Sequence, residues 1–162
     1  MSATDELLAN NAKYATSFEE GELPAAPVMK VAVVACMDAR LDVYAILGLQ
    51  EGDAHVIRNA GGVVTDDAIR SLAISQHQLG TEEIVLIHHT GCGMLTVTDE
   101  ELAAKLEKHA GERPPWHAHA IDDLEDSLRE SIRRVRESPF LASRNVRGFV
   151  YEVETGRLRE VA

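Results

Sequence analysis

The two cysteines of this chain occupy places where thiolate chemistry is possible. Cys36 directly follows an apolar run at residues 31–35, and Cys92 lies shortly after a second run at residues 84–87. Both runs have the length and β-branched content of buried parallel strands, so both sulfurs are predicted at the carboxyl ends of strands. Open α/β sheets bind their ligands at that edge.

His89 adds an imidazole to the loop that carries Cys92. Two thiolates and one imidazole form a donor set that suits zinc. Three protein ligands leave one coordination position for water, whose pKa then falls to about 7, so that hydroxide is available near neutral pH. Cys36, His89 and Cys92 therefore predict a metal-dependent hydrolase or hydratase.

Asp38 and Arg40 are close enough to Cys36 in sequence to act at the same metal. Because they are two residues apart, an ion pair can hold the carboxylate beside the zinc, where Asp38 would orient a zinc-bound hydroxide. If Arg40 released it, Asp38 could instead ligate the metal and displace the water. We therefore predict Asp38 and Arg40 as the catalytic residues and Asp38 also as a metal ligand.

Composition excludes several other classes of protein. The formal net charge of -11 argues against a nucleic-acid partner and against anionic membrane surfaces. The sequence contains no run of about 18 apolar residues that could span a membrane, and residues 1–6 do not resemble a secretory signal. We expect a cytoplasmic protein, in which a pair of cysteines more often binds metal or does chemistry than forms a disulfide.

The remaining sequence alternates between strand and helix patterns. The predicted helices cover residues 3–18, 42–48, 66–79, 99–109 and 121–137, and the predicted strands cover residues 30–35, 54–58, 83–88, 147–153 and 157–161. This order predicts an α/β fold with a mainly parallel β-sheet flanked by helices and an antiparallel edge at the C-terminus. A length of 162 residues suits a single domain, residues 1–162.

Turn and cap residues predict where several helices begin and end. Thr65 or Asp66 is expected to cap the helix that ends before Gly80, and residues 98–101 (Thr-Asp-Glu-Glu) read as a capping box. Residues 1–27 are expected to form an N-terminal helical arm and a linker, because two prolines interrupt residues 21–27. The arm is thus free to pack on its own domain or on a neighbouring subunit.

The two motifs together resemble those of β-class carbonic anhydrases. Residues 36–40 match the Cys-x-Asp-x-Arg motif of that family, and residues 89–92 match its His-x-x-Cys motif. The agreement extends through residues 58–62 (Arg-Asn-Ala-Gly-Gly) and residues 93–96 (Gly-Met-Leu-Thr). The short chain, and a methionine at position 94 where the larger branch has glycine, are similar to the compact branch of the family.

The resemblance implies a zinc enzyme, with one Zn²⁺ per chain, that interconverts carbon dioxide and bicarbonate. It implies that Cys36, His89 and Cys92 are the metal ligands and that Asp38 and Arg40 are the catalytic dyad. It also implies a homodimer or homotetramer, since the N-terminal helix of family members typically embraces the partner subunit.

Other interpretations remain open at this point. The compact branch includes relatives that hydrolyse carbonyl sulfide or carbon disulfide, and these reactions would use the same zinc site. A catalytically silent zinc-binding module is a second alternative, which a persistent Asp38 ligand would favour because structural zinc sites normally have four protein ligands. A thiol redox enzyme is disfavoured, since the chain has no Cys-x-x-Cys pair. Residues 58–62 are interpreted as structural, and His88 is expected to face away from His89.

Overall fold

The computed structural model describes residues 2–162; Met1, which the predicted arm includes, lies outside this range. The α-helices are α1 (Ala3–Ala15), α2 (Val43–Leu47), α3 (Asp66–Leu79), α4 (Asp99–Ala110) and α5 (Leu124–Glu137). The strands are β1 (Val31–Cys36), β2 (Ala54–Asn59), β3 (Glu83–His89), β4 (Asn145–Glu152) and β5 (Arg157–Glu160). Short 3₁₀ turns at Ala60–Gly62 and Gly93–Leu95 follow β2 and Cys92.

The described strands form one five-stranded sheet in the order β2-β1-β3-β4-β5. The pairs β1–β2, β1–β3 and β3–β4 are parallel, and β5 joins β4 as an antiparallel edge. The predicted α/β class, with its mainly parallel sheet and antiparallel C-terminal edge, is therefore confirmed. Because β1 lies between β2 and β3 in the sheet, its carboxyl end lies between the ends of those two strands.

Successive residues of β1 and β3 point to opposite faces of the sheet, and each face has its own core. On one face Val34 and Leu86 pack with Leu72 of α3 and Leu128 of α5. On the other face Val33, Ala35 and Ile87 pack with Val43 of α2. Both strands are buried on two sides, which explains their continuous apolar runs.

Local signals set most helix boundaries. The Thr65 side chain accepts a hydrogen bond from Ala68 N and begins α3, and Gly80 ends that helix in the left-handed conformation. Thr98 and Glu101 form the predicted capping box of α4. In α1, the N-cap is Ser2 and the helix ends at Ala15 rather than at residue 18, because Thr16 closes its last turn.

The predicted start of α5 at residue 121 is wrong by three residues. The helix begins at Leu124 because the Asp123 side chain accepts a hydrogen bond from Asp126 N and caps it. Ile121 is instead buried beside the Gly93–Leu95 turn, and its N–H donates to Met94 O at 2.9 Å. Ile121 thus forms a tertiary hydrogen bond outside α5, although its apolar spacing fitted that helix.

Helix α1 contributes no buried residue to the domain. Its Tyr14 hydroxyl donates to Glu51 Oε1 at 2.7 Å, and Tyr14 also contacts the Phe18 ring. Leu7 and Leu8 are 66% and 64% exposed, so the apolar side of the helix lies uncovered within the chain. No helix among residues 2–162 is both long and apolar enough to cross a membrane.

Candidate metal centre

Parallel pairing brings the predicted metal ligands of β1 and β3 together. Cys36 is the last residue of β1, and His89 is the last residue of the neighbouring strand β3. The register pairs Ala35 with Ile87, so both strands end at the same edge of the sheet. Cys92 follows on a short turn in which Gly91 adopts a φ of 62°.

Cys36, His89 and Cys92 form a group whose ligand atoms all lie within 4.8 Å of one another. The two Sγ atoms are 4.0 Å apart, and all three residues are buried. A zinc ion bound at about 2.3 Å from each sulfur requires the sulfurs to be no more than about 4.6 Å apart. The spacing and the chemistry of these donors therefore fit zinc.

The hydrogen bonding of His89 also fits a metal ligand. Its Nδ1 lies 2.9 Å from Thr90 O, and because a carbonyl oxygen only accepts, Nδ1 carries the proton. Nε2 then presents its lone pair, and this buried atom has no hydrogen-bond partner within the described residues. A buried, unpartnered nitrogen beside two thiols is the arrangement expected of a ligand whose tautomer is set from the other side of its ring.

The two thiols differ in acidity. Burial raises the pKa of Cys36, but the neighbouring His89 imidazole and backbone hydrogen bonds at Asp38 and Gly61 outweigh this and lower it overall. Burial raises the pKa of Cys92, and the charge of Cys36 raises it further. Cys36 is therefore the thiol that more readily becomes the thiolate, the form that binds metal.

Arg40 holds the Asp38 carboxylate next to these ligands. Its Nε donates to Asp38 Oδ1 at 2.9 Å and its Nη2 donates to Asp38 Oδ2 at 2.8 Å. These bonds keep the pKa of Asp38 well below its usual range, so the group is a carboxylate at neutral pH. Asp38 Oδ2 is 3.8 Å from His89 Nε2, which places an anionic acceptor at the edge of the three-ligand group.

Arg40 also connects the two loops that carry the predicted ligands, because its Nη2 donates to Gly91 O at 2.9 Å. The loop that carries His89 and Cys92 is held from its other side. Thr90 N donates to Tyr151 O, and the Thr90 hydroxyl donates to Glu154 at 3.1 Å and accepts from Val153 N. The β4–β5 connection thus supports this loop.

Gly62 lets the chain pass directly over the end of β1. A Cβ atom there would lie 2.7 Å from Cys36 N and 2.8 Å from Ile87 O, and the residue has a φ of 65°. Both the backbone contact and the left-handed conformation require glycine. The close backbone contact at Gly62 thus explains the structural role predicted for residues 58–62.

Some of the supporting contacts could not be found from sequence, although Arg58 and Thr90 lie in the motifs at residues 58–62 and 89–92. Arg58 donates from Nε to Cys36 O at 2.9 Å and from Nη2 to Asp38 O at 2.8 Å, across the β1–β2 pair. Thr90 lies within the quoted motif, but its partner Glu154 is far away in sequence and no local pattern marks it. His88 faces α5, with Nδ1 3.4 Å from Leu124 O, and its burial lowers its pKa to about 4.

All five predicted site residues lie at one edge of the sheet. Cys36, His89 and Cys92 form the group that could hold a metal, whereas Asp38 is paired with Arg40 and is not a member of that group. The roles of these residues as ligands and catalysts, and metal ligation by Asp38, stay predictions.

Comparisons with known proteins relate this site to enzymes of one family. The sequence profile of the family described as "Carbonic anhydrase" matches residues 31–158, which include every residue of the candidate site. The chain is 54% identical over 162 residues to "Beta-carbonic anhydrase 1" of Mycobacterium tuberculosis, covering 99% of each chain. It is also 39% identical over 155 residues to "Carbon disulfide hydrolase" of Acidianus sp., covering 79% of this chain and 75% of that protein.

The fold agrees with a solved structure over its whole length. The crystal structure of carbonic anhydrase from Streptococcus mutans superposes with a TM-score of 0.93 at 44% sequence identity. The match covers 100% of this chain and 99% of that one, including the N-terminal helix.

Proposed function

The chain belongs to the carbonic anhydrase family, and we propose that it catalyses the reversible hydration of carbon dioxide to bicarbonate at the edge of its sheet. The observation that carries this proposal is the convergence of three atoms that could ligate a metal with an ionised carboxylate 3.8 Å from one of them. Bicarbonate and one proton are the products, so the site needs a nucleophilic oxygen, a group that orients it and a path for the proton.

We propose that Cys36 Sγ, His89 Nε2 and Cys92 Sγ hold one zinc ion per chain. Zinc in such a site acts as a Lewis acid that lowers the pKa of water to about 7, so that hydroxide is available near neutral pH. The two buried sulfurs would bind as anionic thiolates and the imidazole as a neutral donor. The N–H at His89 Nδ1 donates a hydrogen bond to Thr90 O.

Asp38 is proposed to orient the nucleophile. Because it is ionised, its carboxylate can only accept hydrogen bonds, and an oxygen atom that donates its hydrogen to Asp38 directs a lone pair toward the substrate. Arg40 fixes the carboxylate through two parallel bonds and, through Gly91 O, fixes it relative to the His89 loop. The 3.8 Å distance from Asp38 Oδ2 to His89 Nε2 supports this role.

The proposal is tested by zinc content and stopped-flow carbon dioxide hydration on the same preparation, at about pH 7 and about pH 8.5. About one zinc per chain with turnover supports it, and protein purified without chelator that contains no zinc overturns it. Asp38→Ala is expected to lower turnover by roughly 10–100-fold while zinc is retained. The control Asp67→Ala removes an exposed carboxylate that pairs with Arg70 on α3 and should leave turnover unchanged.

A second candidate reaction is hydrolysis of carbon disulfide or carbonyl sulfide at the same site. The 39% identity to a carbon disulfide hydrolase favours keeping it, because linear carbon dioxide and carbon disulfide are attacked at the same kind of carbon. Sulfide release assays separate the two. Zinc without carbon dioxide hydration but with sulfide release would replace the main proposal, and zinc with neither activity would indicate a silent zinc-binding module.

We also propose that the protein is a homodimer or homotetramer. The uncovered Leu7 and Leu8 of α1, together with strand β2 at the edge of the sheet, form surfaces that a second copy can cover. Sedimentation or light scattering measures the assembly directly. Because two thiol ligands require reducing surroundings, we propose a cytoplasmic location.

A further inference from the structure

Arg58 at the end of β2 reaches across to the loop that carries Cys36 and Asp38. Its guanidinium donates from Nε to Cys36 O at 2.9 Å and from Nη2 to Asp38 O at 2.8 Å. The two carbonyls lie on either side of Met37, so one planar side chain spans the turn. Both bonds are within normal hydrogen-bond length.

These contacts begin where the backbone pairing of the sheet stops. The register pairs Ala35 with Arg58 and Cys36 with Asn59, and Met37 N makes a last bond to Asn59 O at 2.8 Å. Beyond this bond the chain leaves the sheet, and its carbonyl groups need donors from elsewhere. Arg58 supplies one to each of the two carbonyls that flank Met37.

Arg40 binds the same loop through a different group, the side chain of Asp38. It binds the carboxylate of Asp38 and the carbonyl of Gly91, which belongs to the loop that precedes Cys92. The residue that supplies the first thiol and the residue that supplies the carboxylate are therefore held by two guanidinium groups. Arg58 holds their main chain, and Arg40 holds the Asp38 side chain.

We propose that Arg58 is a positioning residue that sets the spacing between the Cys36 thiolate and the Asp38 carboxylate. It acts through the main chain and touches neither the donor atoms nor a substrate. Metal affinity and the orientation of Asp38 both depend on it. This inference uses the metal centre of the proposed function, but its main test does not require carbon dioxide hydration.

The bonding needs the shape of arginine as well as its charge. A guanidinium presents donors in a rigid fork, whereas a lysine ammonium is a point charge on a flexible stem. Lysine at position 58 would keep the positive charge beside the loop that carries Cys36 but could not bind both carbonyls in the same geometry. Comparing Arg58→Lys with Arg58→Gln thus separates positioning from electrostatics.

The experiment measures metal binding by the full-length wild-type protein and by Arg58→Lys and Arg58→Gln. Zinc affinity is obtained by competition with a chromophoric chelator, and the site geometry is followed by the thiolate-to-cobalt charge-transfer band after cobalt(II) substitution. We expect both variants to lose roughly 10–100-fold in zinc affinity and to show an altered cobalt band. At saturating zinc, kcat for hydration should fall while KM changes little, because the variants shift Asp38 but leave the substrate site in place.

The matched control is the pair Arg70→Lys and Arg70→Gln, which changes an exposed arginine bound to Asp67 on α3. These variants should bind zinc and cobalt like the wild type.

Wild-type affinity and spectrum in Arg58→Lys would overturn the proposal in favour of a purely electrostatic role. Lower unfolding stability with unchanged affinity and spectrum of the folded protein would overturn it in favour of a purely structural one. A wild type that binds zinc without hydrating carbon dioxide would contradict the proposed function and leave the Arg58 result standing.

Discussion

The carboxyl edge of the sheet and the N-terminal helix α1 differ in how much of their surroundings the chain itself provides. Cys36, Cys92 and His89 are 4%, 2% and 0% exposed, and residues from several elements hold their loops. Helix α1 has a complete capping box but buries none of its residues. Sequence signals for secondary structure are strong in both regions. The comparison therefore shows that a well-capped helix becomes part of a hydrophobic core only if another surface packs against it.

The difference has an energetic meaning. Burying a leucine side chain contributes about 1.5–3 kcal/mol relative to leaving it exposed, and Leu7 and Leu8 are mostly exposed within the chain. Those contributions are available only to a contact outside the chain. The metal centre is supported from within, whereas α1 is free to support the proposed assembly. Four variants test whether the two regions are separate in this way.

The largest effect on the metal centre is expected from Cys92→Ser. A serine hydroxyl does not ionise near neutral pH and is a harder donor than a thiolate, so zinc affinity should fall by more than the roughly 100-fold seen when an outer partner is lost. Zinc per chain and carbon dioxide hydration should fall together, whereas the oligomer should persist. Ser17→Ala, at an exposed residue beyond α1, is the control. Full zinc retention in Cys92→Ser would contradict the ligand assignment.

A smaller effect is expected from Arg40→Lys. Lysine keeps the charge but cannot make two parallel bonds to Asp38 and a third to Gly91 O, so turnover should fall by roughly 10–100-fold with zinc retained. The measurement is kcat alongside metal content. Arg129→Lys, which alters a surface pair with Glu125 on α5, should leave both unchanged. Wild-type turnover in Arg40→Lys would remove Arg40 from the dyad.

Gly62→Ala tests how the centre depends on backbone contact. The added Cβ would lie under 3.0 Å from three backbone atoms at a φ of 65°, so we expect the free energy of unfolding to fall by about 2–4 kcal/mol, with weaker zinc binding. Gly80→Ala is the matched control, because Gly80 has a φ of 74° but nothing within 4 Å of its Cβ position. It should lose only about 1–2 kcal/mol and no zinc affinity. Equal losses, measured by denaturant unfolding, would show that close approach at Gly62 is unimportant.

The smallest effect on the metal centre is expected from Leu7→Glu combined with Leu8→Glu. Charged side chains on the uncovered side of α1 should reduce the assembly to a smaller species and lower its thermal midpoint, because association stabilises the folded state. Zinc content per chain should not change. Asn10→Glu, on the same helix, provides the charge control. A loss of zinc in the double variant would mean that the metal centre depends on the arm, and would break the separation proposed above.

Sequence prediction succeeded where the structure depends on interactions between residues close together in the chain. The strands that deliver Cys36 and His89, the Thr65 cap of α3 and the Thr98–Glu101 box were all predictable because each depends on residues within a few positions. The early end of α1 and the late start of α5 were missed. Thr16 ends α1 and Asp123 begins α5 as cap residues, although the apolar spacing continues past both positions. Ile121 forms a hydrogen bond to Met94 O, a contact between distant parts of the fold.

The sequence by itself determined which donors are present and that they follow buried strands, since thiolate, imidazole and carboxylate chemistry belongs to the residue types and strand ends are marked locally. Only the tertiary structure decided which ends meet. The position of β1 between β2 and β3 places Cys36 beside both strands, so that Arg58 reaches its carbonyl and Gly62 passes over its N–H. Such contacts join residues more than 20 positions apart and depend on strand order, which no local pattern encodes.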